Sequence, residues 1–233
     1  MDKVAGLTTK LFADGADLEH ILRLAADERI RGFTTNPTLM WKAGLTDYSE
    51  FCRRLLEEIT DRPISFEVFA DEPGEIRRQA HTIAAWGTNV SVKVPITTTA
   101  GEPLAPVVRD LSADGVPVNV TAVFTPAQVE LVAPAAPAFV SVFAGRIADT
   151  GRDPVPLMRE ALEILRGTGS QLIWASPREV LNVVQANEIG CDIITCTSDI
   201  LGKLDTLGKD LEEFSLETVR MFHRDAVSAG FEL

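Results

Sequence analysis

Short β-branched runs alternate along the chain with stretches in which apolar residues recur every three or four positions. The runs begin near Lys10 (KLFAD), Arg31 (RGFTTN), Ile64 (ISFEVF), Asn89 (NVSVKVP), Val118 (VNVTAVF), Phe139 (FVSVF), Gln171 (QLIWAS) and Cys191 (CDIITC). Their length and their Val, Ile, Thr and Phe content mark them as strands. Between them Leu18, Ile21, Leu22 and Ala25 fall on one helical face, as do Ile76, Ala80, Ile83 and Ala84, and Leu157, Met158, Ala161, Leu162 and Leu165. Asp17 is placed to cap the first helix.

Strands that alternate with helices pair in parallel through right-handed crossovers. Eight such units, spaced by roughly 20 to 35 residues, predict an α/β fold, a (β/α)8 TIM barrel over about residues 8–205. A helical tail over about residues 206–233, with its helix at roughly Ser215 to Ala229, is left over. It can cover the barrel or pack on a neighbouring subunit. A doubly wound sheet is the alternative, and it would usually carry a Gly-rich phosphate loop after its first strand. Ala13-Asp14-Gly15-Ala16-Asp17 is not such a loop, and Gly167-Thr168-Gly169 precedes a strand rather than following one.

Composition narrows the function. With 233 residues, 45% apolar and 24% charged, the chain has the ordinary mix of a packed domain. No apolar run approaches the ~20 residues of a membrane span. Met1-Asp2-Lys3-Val4 has no signal-peptide pattern, so a cytoplasmic location is expected. The net charge of −12 argues against nucleic acid or an anionic membrane as partner. Cys52, Cys191 and Cys196 make no disulfide framework. Cys191 and Cys196 are read in one strand with side chains on opposite faces. His20, His81 and His223 are far apart in helix-like sequence, and no metal site is expected from them.

In a parallel barrel, active-site groups collect where the strands end. Those ends supply Asp14, Asn36, Glu67, Lys93, Asn119 with Thr121, Ser141 followed by Arg146, and Ser176 followed by Arg178. Buried polar groups are costly unless paired or used. Lys93 interrupts Val90-Ser91-Val92-Lys93-Val94-Pro95, where desolvation would lower its pKa and expose a nucleophilic amine. An ion pair with Glu67 across adjacent strands is the structural alternative. Asp14 and Glu67 can divide acid and base work. Alternatively Asp14 caps a turn, or the two carboxylates join Asn36 around a hard metal ion. Ser176-Pro177-Arg178-Glu179 reads as a helix start, with Ser as N-cap and Pro at the first position. The same residues, with Arg146, read as a phosphate site.

These segments resemble the transaldolase family over about residues 10–205. Gly32-Phe33-Thr34-Thr35-Asn36-Pro37-Thr38-Leu39 is similar to its TTNPS/T signature, and Ser91-Val92-Lys93-Val94-Pro95 to the segment with its Schiff-base lysine. Asn119-Val120-Thr121, Ser141-Val142-Phe143-Ala144-Gly145-Arg146 and Ala175-Ser176-Pro177-Arg178 resemble its NxT, SPFxGR and ASxR segments. The resemblance implies a class I mechanism with no metal and no cofactor. Lys93 would form the imine and Asp14 would take the C4 hydroxyl proton. Glu67 and Thr121 would position a water, and Asn36, Asn119 and Ser141 would bind the dihydroxyacetone unit. Arg146, Ser176 and Arg178 would hold the phosphate of a sugar-phosphate substrate. Glu67 and Phe143 match the transferase branch, where the fructose-6-phosphate aldolase branch carries Gln and Tyr. The family's small members further imply a homo-oligomer, a decamer of pentamer rings with the terminal helix on a neighbour. Gly15, Val142 and the stretch Ile96–Pro103 depart from the family pattern near the rim, which bears on donor and acceptor identity.

Overall fold

A computed structural model describes residue 4 and residues 6–232; Met1-Asp2-Lys3, read above for a signal, lies outside the described residues. The strands are β1 (Lys10–Asp14), β2 (Ile30–Thr34), β3 (Ile64–Glu67), β4 (Val90–Pro95), β5 (Val118–Val123), β6 (Phe139–Val142), β7 (Gln171–Trp174) and β8 (Ile193–Thr197). They close in sequence order into one parallel barrel, with β1 also pairing β8. This is the (β/α)8 architecture that the alternating pattern predicts.

The helices are α1 (Leu18–Ala25), α2 (Pro37–Lys42), α3 (Tyr48–Glu58), α4 (Pro73–Ala84), α5 (Ala105–Ala113) and α6 (Pro126–Val132). They continue with α7 (Ala144–Ala148), α8 (Pro154–Leu165), α9 (Leu181–Glu188), α10 (Ser198–Gly202) and α11 (Leu211–Ala229). Four of them start with a capping side chain followed by proline: Asn36-Pro37, Glu72-Pro73, Thr125-Pro126 and Asp153-Pro154. Proline suits that first position because its missing N–H would have no helical partner there. Asp17 caps α1 as expected, accepting from the His20 N–H at 2.7 Å.

The helix faces read from the sequence turn inward: Ile21 in α1, Ile76, Ala80 and Ile83 in α4, and Met158, Ala161 and Leu165 in α8 are buried, and Leu18, Leu22, Ala25, Ala84, Leu157 and Leu162 are partly buried. They pack on the outward side chains of the strands in one continuous apolar cluster.

Two expectations change. Cys191 lies before β8 rather than inside it; it and Cys196 are buried free thiols, each pushed up to about 12 by burial. The last helix starts at Leu211, not near Ser215, because Asp210 accepts from the N–H groups of Glu212 and Glu213 at 3.0 Å. No residue of α11 is buried, and Leu211, Phe214, Leu216, Val219, Met221, Phe222 and Val227 are exposed on it. Among the described residues no helix is long and apolar enough to cross a membrane.

Candidate active site

Side chains alternate in and out along a strand, so residues two apart share the barrel interior. At the floor Phe12, Phe139, Ile173 and Ile193 form their own apolar cluster, with the Phe12 and Phe139 rings edge to face at 6.3 Å. One step up come Thr34, Ser65, Ser91, Asn119, Ser141 and Thr195, all buried. One further step along β3, β4 and β5 brings Glu67, Lys93 and Thr121 to the mouth, where Asp14, one step above Phe12 on β1, joins them.

Lys93 is 6% exposed. Its ammonium donates to the Thr35 carbonyl at 2.8 Å and lies 3.3 Å from Glu67 Oε2. The ion pair expected as the structural alternative is therefore formed, at the register pairing Glu67↔Lys93. It also holds the amine at the mouth of the barrel, beside Asp14. Asp14 accepts from Thr34 Oγ1 at 2.8 Å and from Asn36 Nδ2 at 3.4 Å. Thr195 Oγ1 is 2.6 Å from Thr34 Oγ1, and because Thr34 gives its proton to Asp14, Thr195 is the donor there. The turn-capping alternative for Asp14 is not what the structure has: its partners are side chains across the mouth. Burial raises the Asp14 pKa above the ordinary 3.8, opposed by the Lys93 charge and the Thr34 hydrogen bond, with the Glu67 charge adding to the rise.

Asn36 caps α2 with its oxygen, which accepts from Leu39 N–H at 3.0 Å, so its amide nitrogen is the end that faces Asp14. Among the described residues no three His, Cys, Asp or Glu side chains converge.

A second network crosses the layer below. Ser141 Oγ donates to Asn119 Oδ1 at 2.7 Å, Asn119 Nδ2 donates to Ser65 Oγ at 3.0 Å, and Ser65 and Ser91 hydroxyls are 2.6 Å apart. These bonds fix which way the Asn119 amide faces. Thr121 Oγ1 is buried with no hydrogen-bond partner among the described residues. A buried hydroxyl in that state is an exception among folded proteins and calls for an explanation.

The cationic side of the mouth depends on close backbone contact. A Cβ on Gly145 would sit 1.6 Å from the Ser176 carbonyl oxygen, so only glycine lets the start of α7 touch the segment after β7. That contact brings Arg146 toward Ser176 and Arg178. The Arg146 guanidinium lies 5.3 Å from the Phe143 ring centroid, a cation–π distance. Arg178 Nε donates to both Asp149 oxygens, at 3.0 and 3.1 Å. Asp149 is held below the usual carboxylate range by the Arg178 hydrogen bond first, then by the charges of Arg178 and Arg146.

The helix start expected at Ser176-Pro177-Arg178-Glu179 is not formed. Ser176 has φ +60°, the left-handed region, whereas an N-cap is extended. Helix α9 begins at Leu181 instead, and Asn182 Oδ1 reaches back to accept from the Arg178 and Glu179 N–H groups at 2.7 and 3.3 Å. Ser176 is thereby relieved of capping.

Most candidate residues thus fall at the strand ends or just beyond them; Asn119, read from the sequence as a strand-end residue, is the second residue of β5 and sits a layer deeper with Ser141. The ion pair links Lys93 with Glu67, a hydrogen bond links Asn36 with Asp14, and another links Ser141 with Asn119 below. Phe143, Arg146, Ser176 and Arg178 gather across the mouth. Sequence reasoning missed Thr34, Ser65, Ser91 and Thr195. Ser65 and Ser91 were legible as the residues two before Glu67 and Lys93, on the same face. It also missed Asp149, one helical turn after Arg146, and Tyr48, which nothing in the spacing announces.

Comparisons with known proteins identify the family. Residues 11–233 match the family described as Transaldolase/Fructose-6-phosphate aldolase. A probable transaldolase of Dehalococcoides mccartyi is 36% identical over 194 residues, covering 82% of this chain and 88% of that protein. One of Symbiobacterium thermophilum is 38% identical over 188 residues, 80% and 84% of the two chains. One of Methanococcus maripaludis is 34% identical over 197 residues, 84% and 89%. The chain belongs to the transaldolase/fructose-6-phosphate aldolase family of enzymes.

Proposed function

We propose that the chain is a transaldolase that moves a dihydroxyacetone unit from a ketose phosphate, such as fructose 6-phosphate or sedoheptulose 7-phosphate, to an aldose phosphate. The observation that carries this reading is Lys93, buried, with Nζ between the Thr35 carbonyl and Glu67 and with Asp14 beside it. Lys93 Nζ adds to the ketose C2 carbonyl, and loss of water gives the iminium. Asp14 takes the C4 hydroxyl proton, the C3–C4 bond breaks, and its electron pair moves into the iminium as an enamine. The aldehyde half leaves. A second aldehyde accepts C3, and hydrolysis returns the amine.

Glu67, 3.3 Å from Nζ, is placed to take and return its proton through a water held with Thr121. The unpartnered Thr121 hydroxyl supports that role. Asn36, Asn119 and Ser141 bind the three-carbon unit, Phe143 lines the mouth, and Arg146, Ser176 and Arg178 hold the phosphate. A net charge of −12 makes local cations the means of recruiting a phosphorylated sugar.

Transfer, rather than release of free dihydroxyacetone, follows from Phe143 and Glu67. Phe143 offers no hydroxyl to activate a water that would protonate the enamine, so the enamine waits for an acceptor. Borohydride reduction with fructose 6-phosphate should fix a three-carbon or six-carbon adduct on Lys93. No label, or a label that survives Lys93→Ala, overturns the reading. Product analysis with erythrose 4-phosphate present and absent separates transfer from cleavage. We further propose that the enzyme works in the cytoplasm as a homo-oligomer built from pentamer rings, which would cover the apolar side chains of α11. A monomer by light scattering at micromolar concentration overturns that part.

A further inference from the structure

The ladder between β2 and β3 stops one step short, and a single side chain fills the gap. Parallel pairing passes hydrogen bonds alternately from one strand to the other. Here Phe33 N–H bonds Pro63 O and Thr35 N–H bonds Ser65 O. The next two bonds would run from Glu67 N–H to Thr35 O and from the N–H of residue 37 to Glu67 O. Neither forms. Residue 37 is Pro37, which has no N–H. Thr35 O accepts from Lys93 Nζ instead, at 2.8 Å.

Both stranded groups of Glu67 go to the Tyr48 hydroxyl. Glu67 N–H donates to it at 2.8 Å, and it donates to Glu67 O at 2.8 Å. One hydroxyl therefore does the work of a strand edge. Tyr48 is the only tyrosine in the sequence and opens α3, in the connection from β2 to β3. Its ring is fixed edge-on to Phe69 at 4.9 Å and tilted against Trp86 at 6.1 Å. Burial pushes the phenol pKa up, so the proton it gives to Glu67 O stays in place.

We propose that Tyr48 is a positioning residue for the imine chemistry: it replaces the missing β2 partner of Glu67, leaves the Thr35 carbonyl to Lys93, and holds the Glu67 carboxylate against Nζ. The kinetic part of this inference rests on the transaldolase reading; the structural part does not. Without the hydroxyl, Glu67 N–H is a part-buried donor with no partner, a costly state. The acceptor that ordinary ladder geometry offers it is Thr35 O. Lys93 Nζ already holds that carbonyl, so the Glu67 amide wins no steady bond there and the end of β3 is left loose. Loss of one oxygen atom, bonded to the Glu67 main chain, disturbs both partners of the amine.

The test is Tyr48→Phe, which keeps the ring and its packing. Hydrogen exchange of the Glu67 amide, followed by NMR, should speed up by about tenfold or more, with core amides on β4 unchanged. Wild-type protection of that amide in the variant overturns the clamp whatever the reaction is. Single-turnover formation of the borohydride-trapped imine should slow by about tenfold, with KM for fructose 6-phosphate within about twofold. Placed on Glu67→Gln, the same substitution should slow imine formation no further, because its effect passes through Glu67. Losses that multiply in the double variant overturn the positioning role and leave Tyr48 as packing. A wild-type enzyme that never labels Lys93 refutes the Schiff-base reading instead, and the amide exchange still decides the clamp.

Discussion

The floor of the barrel and the polar level above it, which leads to the mouth, are built by the same strands two residues apart, yet they follow opposite rules. Phe12 precedes Asp14, Phe139 precedes Ser141 and Ile193 precedes Thr195. The lower member of each pair fills space with apolar surface. The upper members are polar side chains, each tied to at least one neighbour. A step of about 6.6 Å along a strand thus separates packing from chemistry. Burial of apolar area stabilises the floor. The mouth pays for its polar burial with hydrogen bonds, and Asp14 remains destabilised even so. Substitutions at the mouth should therefore cost activity, and those at the floor stability.

The largest effect is expected at Lys93. Lys93→Ala should reduce transfer to background and abolish borohydride labelling, as measured by coupled assay and intact mass. Asp14→Asn comes next, with kcat down by about 10²- to 10⁴-fold, the usual worth of a general base. Its stability effect should have the opposite sign. Because the folded-state pKa of Asp14 lies above 3.8, the wild type loses stability as pH rises from that value through the raised one. The Asn variant lacks that loss, so denaturant unfolding should find it more stable at pH 7 and level with wild type near pH 3.8. A variant less stable than wild type at pH 7 would break the contrast between the two levels.

Phe12→Ala tests the other level. The ring is 2% exposed and packs on Phe139 and over Gly32, where a Cβ would meet it at 2.5 Å. Its removal should cost about 3–5 kcal/mol in urea unfolding. At temperatures where the variant stays folded, kcat should hold within about threefold, since no polar partner of the mouth is touched. A kcat loss as large as that of Asp14→Asn in folded protein would show that floor and mouth are one unit.

Much of this division was legible in the sequence, because periodicity is a local property. Phe12, Ser65, Ser91 and Asn119 stand two before Asp14, Glu67, Lys93 and Thr121, and alternation alone puts each pair on one face. Eight strands of that kind fix a barrel, and the polar ends fix its mouth. The misses share a cause: contacts between segments distant in sequence. Nothing local to Ser176 says that its carbonyl will lie against Gly145, a contact that accompanies its φ of +60° and a helix start moved to Leu181. Nothing local to Tyr48 says that β2 will turn into Asn36-Pro37 and leave Glu67 without a ladder partner. Asp149 lies between these cases. Its spacing from Arg146 was visible, but its bond to Arg178 spans 29 residues.

That bond supplies the smallest and most discriminating prediction. In the proposed reading Asp149 occupies the guanidinium edge that a substrate phosphate would use, and the Arg178 hydrogen bond, followed by the charges of Arg178 and Arg146, holds its pKa below the usual carboxylate range. A carboxylate there can act in two ways. It can align Arg178, so that its loss weakens phosphate binding, or it can compete with the phosphate, so that its loss strengthens binding. The pair is half-exposed, with side chains 45% and 50% accessible, and an exposed ion pair contributes little alignment. Competition, which sets like charge against a dianion, should prevail. Asp149→Asn should therefore lower KM for fructose 6-phosphate and the inhibition constant of inorganic phosphate by roughly two- to fivefold. Turnover of an unphosphorylated ketose such as fructose should not change. Because the groups face solvent, the gain should shrink as salt is raised from 0.01 to 0.5 M, where screening shortens from ~30 Å to below ~8 Å. A rise in KM at low salt would instead make Asp149 the support that Arg178 needs, and would extend the rule of tied polar groups from the mouth's centre to its cationic edge.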